Sequence, residues 1–178
     1  MKRFVIFSLA AAASLAAVVA TQAFVRAEDA PPMTEAHIER IRNNCVEAQS
    51  TLSQLHASDA LLRVNRGQLY ESLSVKLMAP FNSRVALNRM NGSELVATAT
   101  DYEDQLVDFR EKYQAYEEAM SKTLRMNCRN EPVSFYDSVA DTREKRAAVH
   151  ESTLTLHKTI KQYKADLKAF AEDLEEKR

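Results

Sequence analysis

Cys45 and Cys128 are the two cysteines of the chain, and they can bridge each other, stay as free thiols or bridge another molecule. No Cys-x-x-Cys pair occurs, so dithiol redox chemistry has no motif to stand on. The four histidines are His37, His56, His150 and His157. His150 and His157 lie two helical turns apart, too far to share one ion. Zinc on a helix wants His at i, i+3 or i+4 with a carboxylate near. His56 and His150 would approach each other only if their helices ran parallel, and they are the sole pair kept as metal candidates. The default reading is flanking, partly exposed side chains, with no metal expected. A Cys-x-x-Cys-His haem attachment, an HExxH helix and a nucleophile elbow are all missing from the sequence. Ser, His and Asp occur, yet no spacing fixes them as a triad. No catalytic residue, no cofactor and no enzymatic activity are therefore expected.

The charged residues offer more. Asp59 and Arg66 fall on the apolar register of one helical stretch and Arg146 on that of another. Paired, such residues fix the register of a bundle; unpaired, each costs several kcal/mol to bury (an order of magnitude). The expected layer puts Asp59 level with Arg146, and Arg66 opposite Asp104 and Asp108. A charged binding groove midway along the bundle is the functional alternative. Basic pairs such as Arg63 and Arg66 are otherwise read as solvated faces or ion-pair partners. Gly67 inside this helix costs about 1 kcal/mol against Ala, so close helix approach or a local break near Ser58 and Asp59 is expected. Tyr102, Phe109, Tyr113 and Tyr116 recur at heptad spacing and read as core, with phenolic oxygens reaching the rim.

These residues need long helices to position them. The first starts after Pro31 and Pro32 with Thr34 as N-cap. It reads Ile38, Ile41, Cys45, Ala48, Leu52 and Leu55, continues through Leu62, Leu69 and Leu73, and should end or kink at Pro80. The second starts after Asn91 and Gly92 with Ser93 as cap. It runs Leu95, Ala99, Tyr102, Leu106, Phe109, Tyr113, Tyr116, Met120 and Thr123. The third starts near Ser134 and Asp137, a capping-box-like pair. It carries Phe135, Val139, Thr142, Arg146, Val149, Leu156, Ile160, Tyr163, Leu167 and Phe170. Alternating steps of three and four keep one seam toward partner helices, which is coiled-coil packing. With only two glycines in the chain, sheet turns and phosphate-cradling loops are poorly served.

The interval from Cys45 to Ala79 equals that from Glu94 to Cys128. Two antiparallel helices joined through residues 80–93 would bring both sulfurs to one level. The expected fold is all-α: an elongated up-down-up three-helix bundle with coiled-coil-like packing over residues 34–178, preceded by a linker at 28–33. Residues 81–91 could also prolong the first helix past a proline kink, but the matched arms favour a separate turn or short helical piece.

Residues 1–27 read as a secretory signal peptide: Lys2 and Arg3, the apolar run from Phe4, then Val25 and Ala27 before Glu28. The run from Phe4 to Val25 is also long enough to stay as an uncleaved membrane anchor. Either way the bundle is extracytoplasmic, in an oxidising space where a single disulfide is the simplest use of two cysteines. Losing residues 1–27 removes Lys2, Arg3 and Arg26 and no acid, which leaves an acidic surplus. That argues against nucleic acid as partner. Membrane contact would run only through the N-terminal segment.

Three segments occur together: Arg63-Val-Asn-Arg-Gly67 with Tyr70 and Leu73; Phe81-Asn82-Ser83-Arg84-Val85; and Asn127-Cys128-Arg129 leading to Pro132, Phe135 and Tyr136. The combination resembles uncharacterised small exported helical proteins of candidate-phylum bacteria, the Saccharibacteria-like lineages, over about residues 45–165. In that group paired cysteines accompany these segments, which agrees with a Cys45–Cys128 bridge. The resemblance carries no activity and no site residue. The function expected is non-enzymatic: a disulfide-pinned bundle of the cell envelope or extracellular space that binds itself or another protein. A small-ligand, metal or haem carrier using the helix seam is the alternative.

Overall fold

The computed structural model describes Met33 to Lys177. The expected leader, its cleavage site and most of the linker lie outside the described residues. Helix α1 (Glu35–Ser72) passes through a π-helical turn (Leu73–Met78) into α2 (Ala79–Leu87). A short turn leads to α3 (Ser93–Arg125), and a second to α4 (Pro132–Glu176). The fold is all-α, and α3 and α4 form its closest-packed pair. At about 1.5 Å per residue, α4 spans roughly 65–70 Å. No helix among the described residues is long and apolar enough to cross a membrane.

Side-chain contacts give the topology directly. Between α1 and α3 the sequence separation falls steadily along the bundle, from 83 at Cys45–Cys128 to 57 at Asp59–Tyr116 and 29 at Ser74–Glu103. A shrinking separation means antiparallel helices. Between the first and last helical arms the separation stays at 87, at Arg42–Arg129, Asp59–Arg146 and Tyr70–His157. A constant separation means parallel ones. The arrangement is up-down-up.

The disulfide joins Cys45 to Cys128 with their Cα atoms 5.7 Å apart, and Phe135, Ile41 and Leu52 pack around it. The main core lies further along, where Tyr70, Leu95, Tyr102, Leu106, Leu156 and Tyr163 are buried together. The α3–α4 seam is stepped with hydroxyls. Thr123 Oγ1 is fully buried and lies 2.6 Å from Ser138 Oγ and 2.9 Å from Thr142 Oγ1. Thr159 donates to Gln105 and Thr98 to Asp166, both at 2.6 Å. These bonds satisfy groups whose burial would otherwise cost about 1–3 kcal/mol each.

Several boundaries differ from the sequence reading. Thr34 does cap α1, its Oγ1 accepting from the His37 N–H. Pro80, however, does not end the helix. Proline lacks an N–H and crowds the carbonyl four residues back, and the backbone answers with the wider turn just before it, where the Ala79 N–H bonds Ser74 O. Helical geometry then continues to Leu87, so residues 81–87 prolong the first helix rather than forming a separate piece. Ser93 is the first residue of α3, with Gly92 in the capping position. A Cβ at Gly92 would lie 2.6 Å from Val85 Cγ1, which is why glycine stands there. Helix α4 starts at Pro132, ahead of the Ser134–Asp137 pair, because proline's fixed φ suits a first turn.

The chain leaves α2 through Arg89, whose φ is +58°. Its N–H bonds Ala86 O, and the Met90 N–H bonds Val85 O at 3.1 Å. This is the paired C-terminal cap in which the left-handed position normally holds glycine. Arg89→Gly is therefore expected to raise stability by about 0.5–1 kcal/mol, read as a higher urea midpoint with an unchanged slope. The disulfide closes a long loop, worth about 2–4 kcal/mol as such bridges are usually measured. Cys45→Ala should lower the melting temperature to that of reduced wild type; an unchanged melting temperature would refute a stabilising bridge.

Candidate functional site

Midway along the bundle, α1 and α4 part over the aromatic face of α3 and leave a groove of about 320 Å³. Its floor is Phe109, Tyr113 and Tyr116, with Tyr70 from α1. Leu62 on one side and Val149 and Leu154 on the other form apolar walls. Arg63, Arg66, Arg146, His150 and His157 bring nitrogen into the same space.

Two of the three seam charges, Asp59 and Arg146, meet at one level. Arg146 Nε and Nη2 donate to the two Asp59 carboxylate oxygens at 2.7 and 3.0 Å. The Tyr116 hydroxyl donates to Asp59 Oδ2 at 2.7 Å. Asp59 is 12% exposed and Arg146 49%, so the acid is the enclosed partner and the guanidinium reaches solvent. Burial pushes the Asp59 carboxyl up, but the hydrogen bonds from Arg146 and Tyr116 and the Arg146 charge outweigh it. The net shift is below the ordinary 3.8. Tyr116 moves upward, first through burial and then because its hydroxyl donates to the Asp59 carboxylate, which favours the protonated phenol.

Arg66 does not join this layer. It is exposed, and among the described residues it forms no ion pair with Asp104 or Asp108, the residues expected opposite it. Asp108 instead bonds Lys112 one turn along α3 at 2.8 Å. The α1–α3 ion pair at this level is Glu71 with Arg110, whose Nε and Nη2 meet Glu71 Oε1 at 2.8 and 2.6 Å. Arg63 takes the inward place. Its guanidinium carbon lies 5.3 Å from the Phe109 ring centroid and 5.2 Å from that of Tyr113. It is neither a solvated face nor an ion-pair partner.

Arg63 also explains Gly67. A Cβ there would fall 1.9 Å from Arg63 Nη1, so the glycine clears room for the guanidinium lying back along its own helix. The three atoms nearest such a Cβ all belong to Arg63 rather than to a neighbouring helix, and α1 is unbroken at Ser58 and Asp59. Leu62 and Leu69, counted as apolar register, are 48% and 55% exposed. The inward residues are Asp59, Arg63, Gly67, Tyr70 and Ser74. A reader following leucines misses that face, and the Arg-x-x-x-Gly spacing is the one signal in the sequence that marks it.

The histidines stay apart. His56 Nε2 lies 2.8 Å from Glu117 Oε2, while His150 lines the groove and His157 Nε2 lies 3.0 Å from the Tyr70 hydroxyl. His56 and His150 therefore have separate surroundings, and no group of three or more potential metal ligands occurs among the described residues. Tyr102, Phe109 and Tyr116 are core as expected, while Tyr113 is half-buried at the groove floor; the Tyr102 hydroxyl turns inward rather than to the rim. Tyr102 OH donates to Tyr70 O at 3.0 Å, and Tyr113 OH to Glu117 at 2.6 Å.

In comparisons with known proteins, no family model, no curated protein and no solved structure matches this chain.

Because the Asp59 carboxyl sits below its ordinary value, its contribution is complete above 3.8 and fades as pH falls from 3.8 through the lower folded value. Asp59→Asn should cost about 1–2 kcal/mol near neutral pH, discounted for the half-exposed Arg146. Urea titrations of the two proteins should converge as pH drops below 3.8. A pH-independent gap would show that the charge of Asp59 is not what stabilises the layer.

Proposed function

We propose that this chain is a non-enzymatic helical interaction protein that works outside the cytoplasm, in the cell envelope or extracellular space, and binds itself or another protein through exposed helix faces. The observation that carries the reading is the outer side of α1. Val46, Leu61 and Val64 are 53%, 64% and 52% exposed and share one helical stripe. The Cys45–Cys128 bridge supports an oxidising compartment. The acidic surplus beyond residue 27 supports a partner other than nucleic acid. Any membrane contact belongs to the N-terminal segment. In this reading the chain is one of the exported Saccharibacteria-like helical proteins it resembles.

The groove favours a second reading, a carrier of a small ligand. Its volume falls at the low end of the roughly 300–1,000 Å³ of small-molecule sites, and it combines apolar walls with converging polar groups.

Native mass spectrometry of the exported protein, purified without tags or chelators, separates the two. A bare polypeptide mass, as monomer or homo-oligomer and two hydrogens short of the reduced chain, is expected for the interaction protein. A stoichiometric extra mass would overturn that reading in favour of the carrier. The same spectrum locates the N-terminus.

A further inference from the structure

We infer that the groove between α1 and α4 binds a small organic carboxylate with an apolar body, and that Arg63 and Arg66 take the anionic end. The inference rests on the carrier reading and deepens it by naming the ligand class.

Charge is the first argument. The groove presents three guanidiniums, those of Arg63, Arg66 and Arg146, against the single carboxylate of Asp59, in a chain whose formal net charge is −1. Asp59 is already committed to Arg146 and Tyr116. Among the described residues no carboxylate forms an ion pair with Arg63 or Arg66. The two stand three residues apart on one helix, where like charges repel.

Burial is the second. The Arg63 side chain lies against Phe109 and Tyr113, and its Nε is enclosed without a hydrogen-bond partner among the described residues. Arg63 as a whole is half-buried; partly burying a cation without a counter-charge carries a cost, and the ring faces offset only part of it. An anion between the two guanidiniums relieves both the repulsion and the missing counter-charge. A carboxylate matches the planar fork of arginine.

The walls set the rest of the ligand. Leu62, Val149 and Leu154 offer no acceptor and no charge, so what lies between them is apolar. The volume of about 320 Å³ admits a small molecule. A metal ion is disfavoured by the cationic lining, and an amine by the same charges.

The test uses the disulfide-intact protein and two matched probes, 2-naphthoate and the uncharged 2-naphthamide, in calorimetric titrations. Saturable one-to-one binding of naphthoate is expected, with naphthamide about tenfold weaker or worse. Arg66→Gln removes an exposed side chain that forms no ion pair and should not lower the melting temperature, while weakening naphthoate about tenfold. Arg63→Gln should weaken it at least as much. Arg143→Gln, an exposed arginine outside the groove, should leave binding intact. Absence of saturable naphthoate binding overturns the inference, as does equal binding of the two probes or an Arg66→Gln protein no worse than Arg143→Gln. If the native mass carries a stoichiometric ligand and naphthoate still fails, the carboxylate assignment fails while the carrier reading stands.

Discussion

Asp59 sits where α1, α3 and α4 face one another, and its carboxylate takes the Tyr116 hydroxyl from α3 and the Arg146 guanidinium from α4. A coiled-coil seam by itself tolerates slippage by a heptad, because one apolar step resembles the next. One enclosed acid that must meet two specific donors removes that freedom. The same offset between the first and last arms recurs at Tyr70–His157 toward one end and at Arg42–Arg129 toward the other. The disulfide fixes the level of α1 against the end of α3, and Asn82 closes the far end. Its amide donates to Leu95 O at 3.1 Å and its carbonyl accepts from Tyr163 OH at 2.8 Å, so one side chain ties the α2 arm to both α3 and α4.

Much of this was legible in the sequence, for reasons that differ by helix. In α3 and α4 the heptad reading meets the buried set at Tyr102, Leu106, Phe109 and Tyr116, and at Phe135, Thr142, Leu156 and Tyr163. Those two helices bury bulky residues against each other, so hydrophobic pattern and inward face coincide. In α1 they coincide only to about Leu55. Beyond it the inward positions are Asp59, Arg63, Gly67 and Tyr70, three turns in eleven residues, a period that drifts away from the heptad. The leucines that keep the heptad, Leu62 and Leu69, drift outward with it. Counting along parallel helices puts Asp59 and Arg146 at equal height, so their pairing is legible. The same count misplaces Arg66, because α1 leaves that register before reaching it.

The same helix shows how a local rule is overridden without being broken. Pro80 would end a helix whose only support was its own hydrogen bonds. Here the arm beyond it has tertiary support: Phe81 packs edge-on to Phe170 with ring centroids 5.9 Å apart, Val85 is buried, and Asn82 bonds both neighbouring helices. Continuing past proline costs one widened turn, and that turn places the buried Ser74 where its hydroxyl meets Glu103. No pattern of residue types around Pro80 distinguishes this outcome from a stop, because the deciding contacts lie on α3 and α4.

The groove follows from the same departure from the heptad. Between Leu55 and Tyr70 the inward face of α1 supplies an acid, a guanidinium and a glycine in place of apolar bulk. Apolar burial draws helices together in proportion to area removed from water, at roughly 25 cal/mol per Å², and this stretch has little such area to bury. Charged side chains that keep part of their hydration also resist closer approach. The space between α1 and α4 and the charge that lines it therefore share one origin. Replacing Arg63 by leucine would offer the missing bulk and remove the cation together. For that reason Arg66, which lines the groove without packing beneath it, separates the binding chemistry of the site from the packing that opens it.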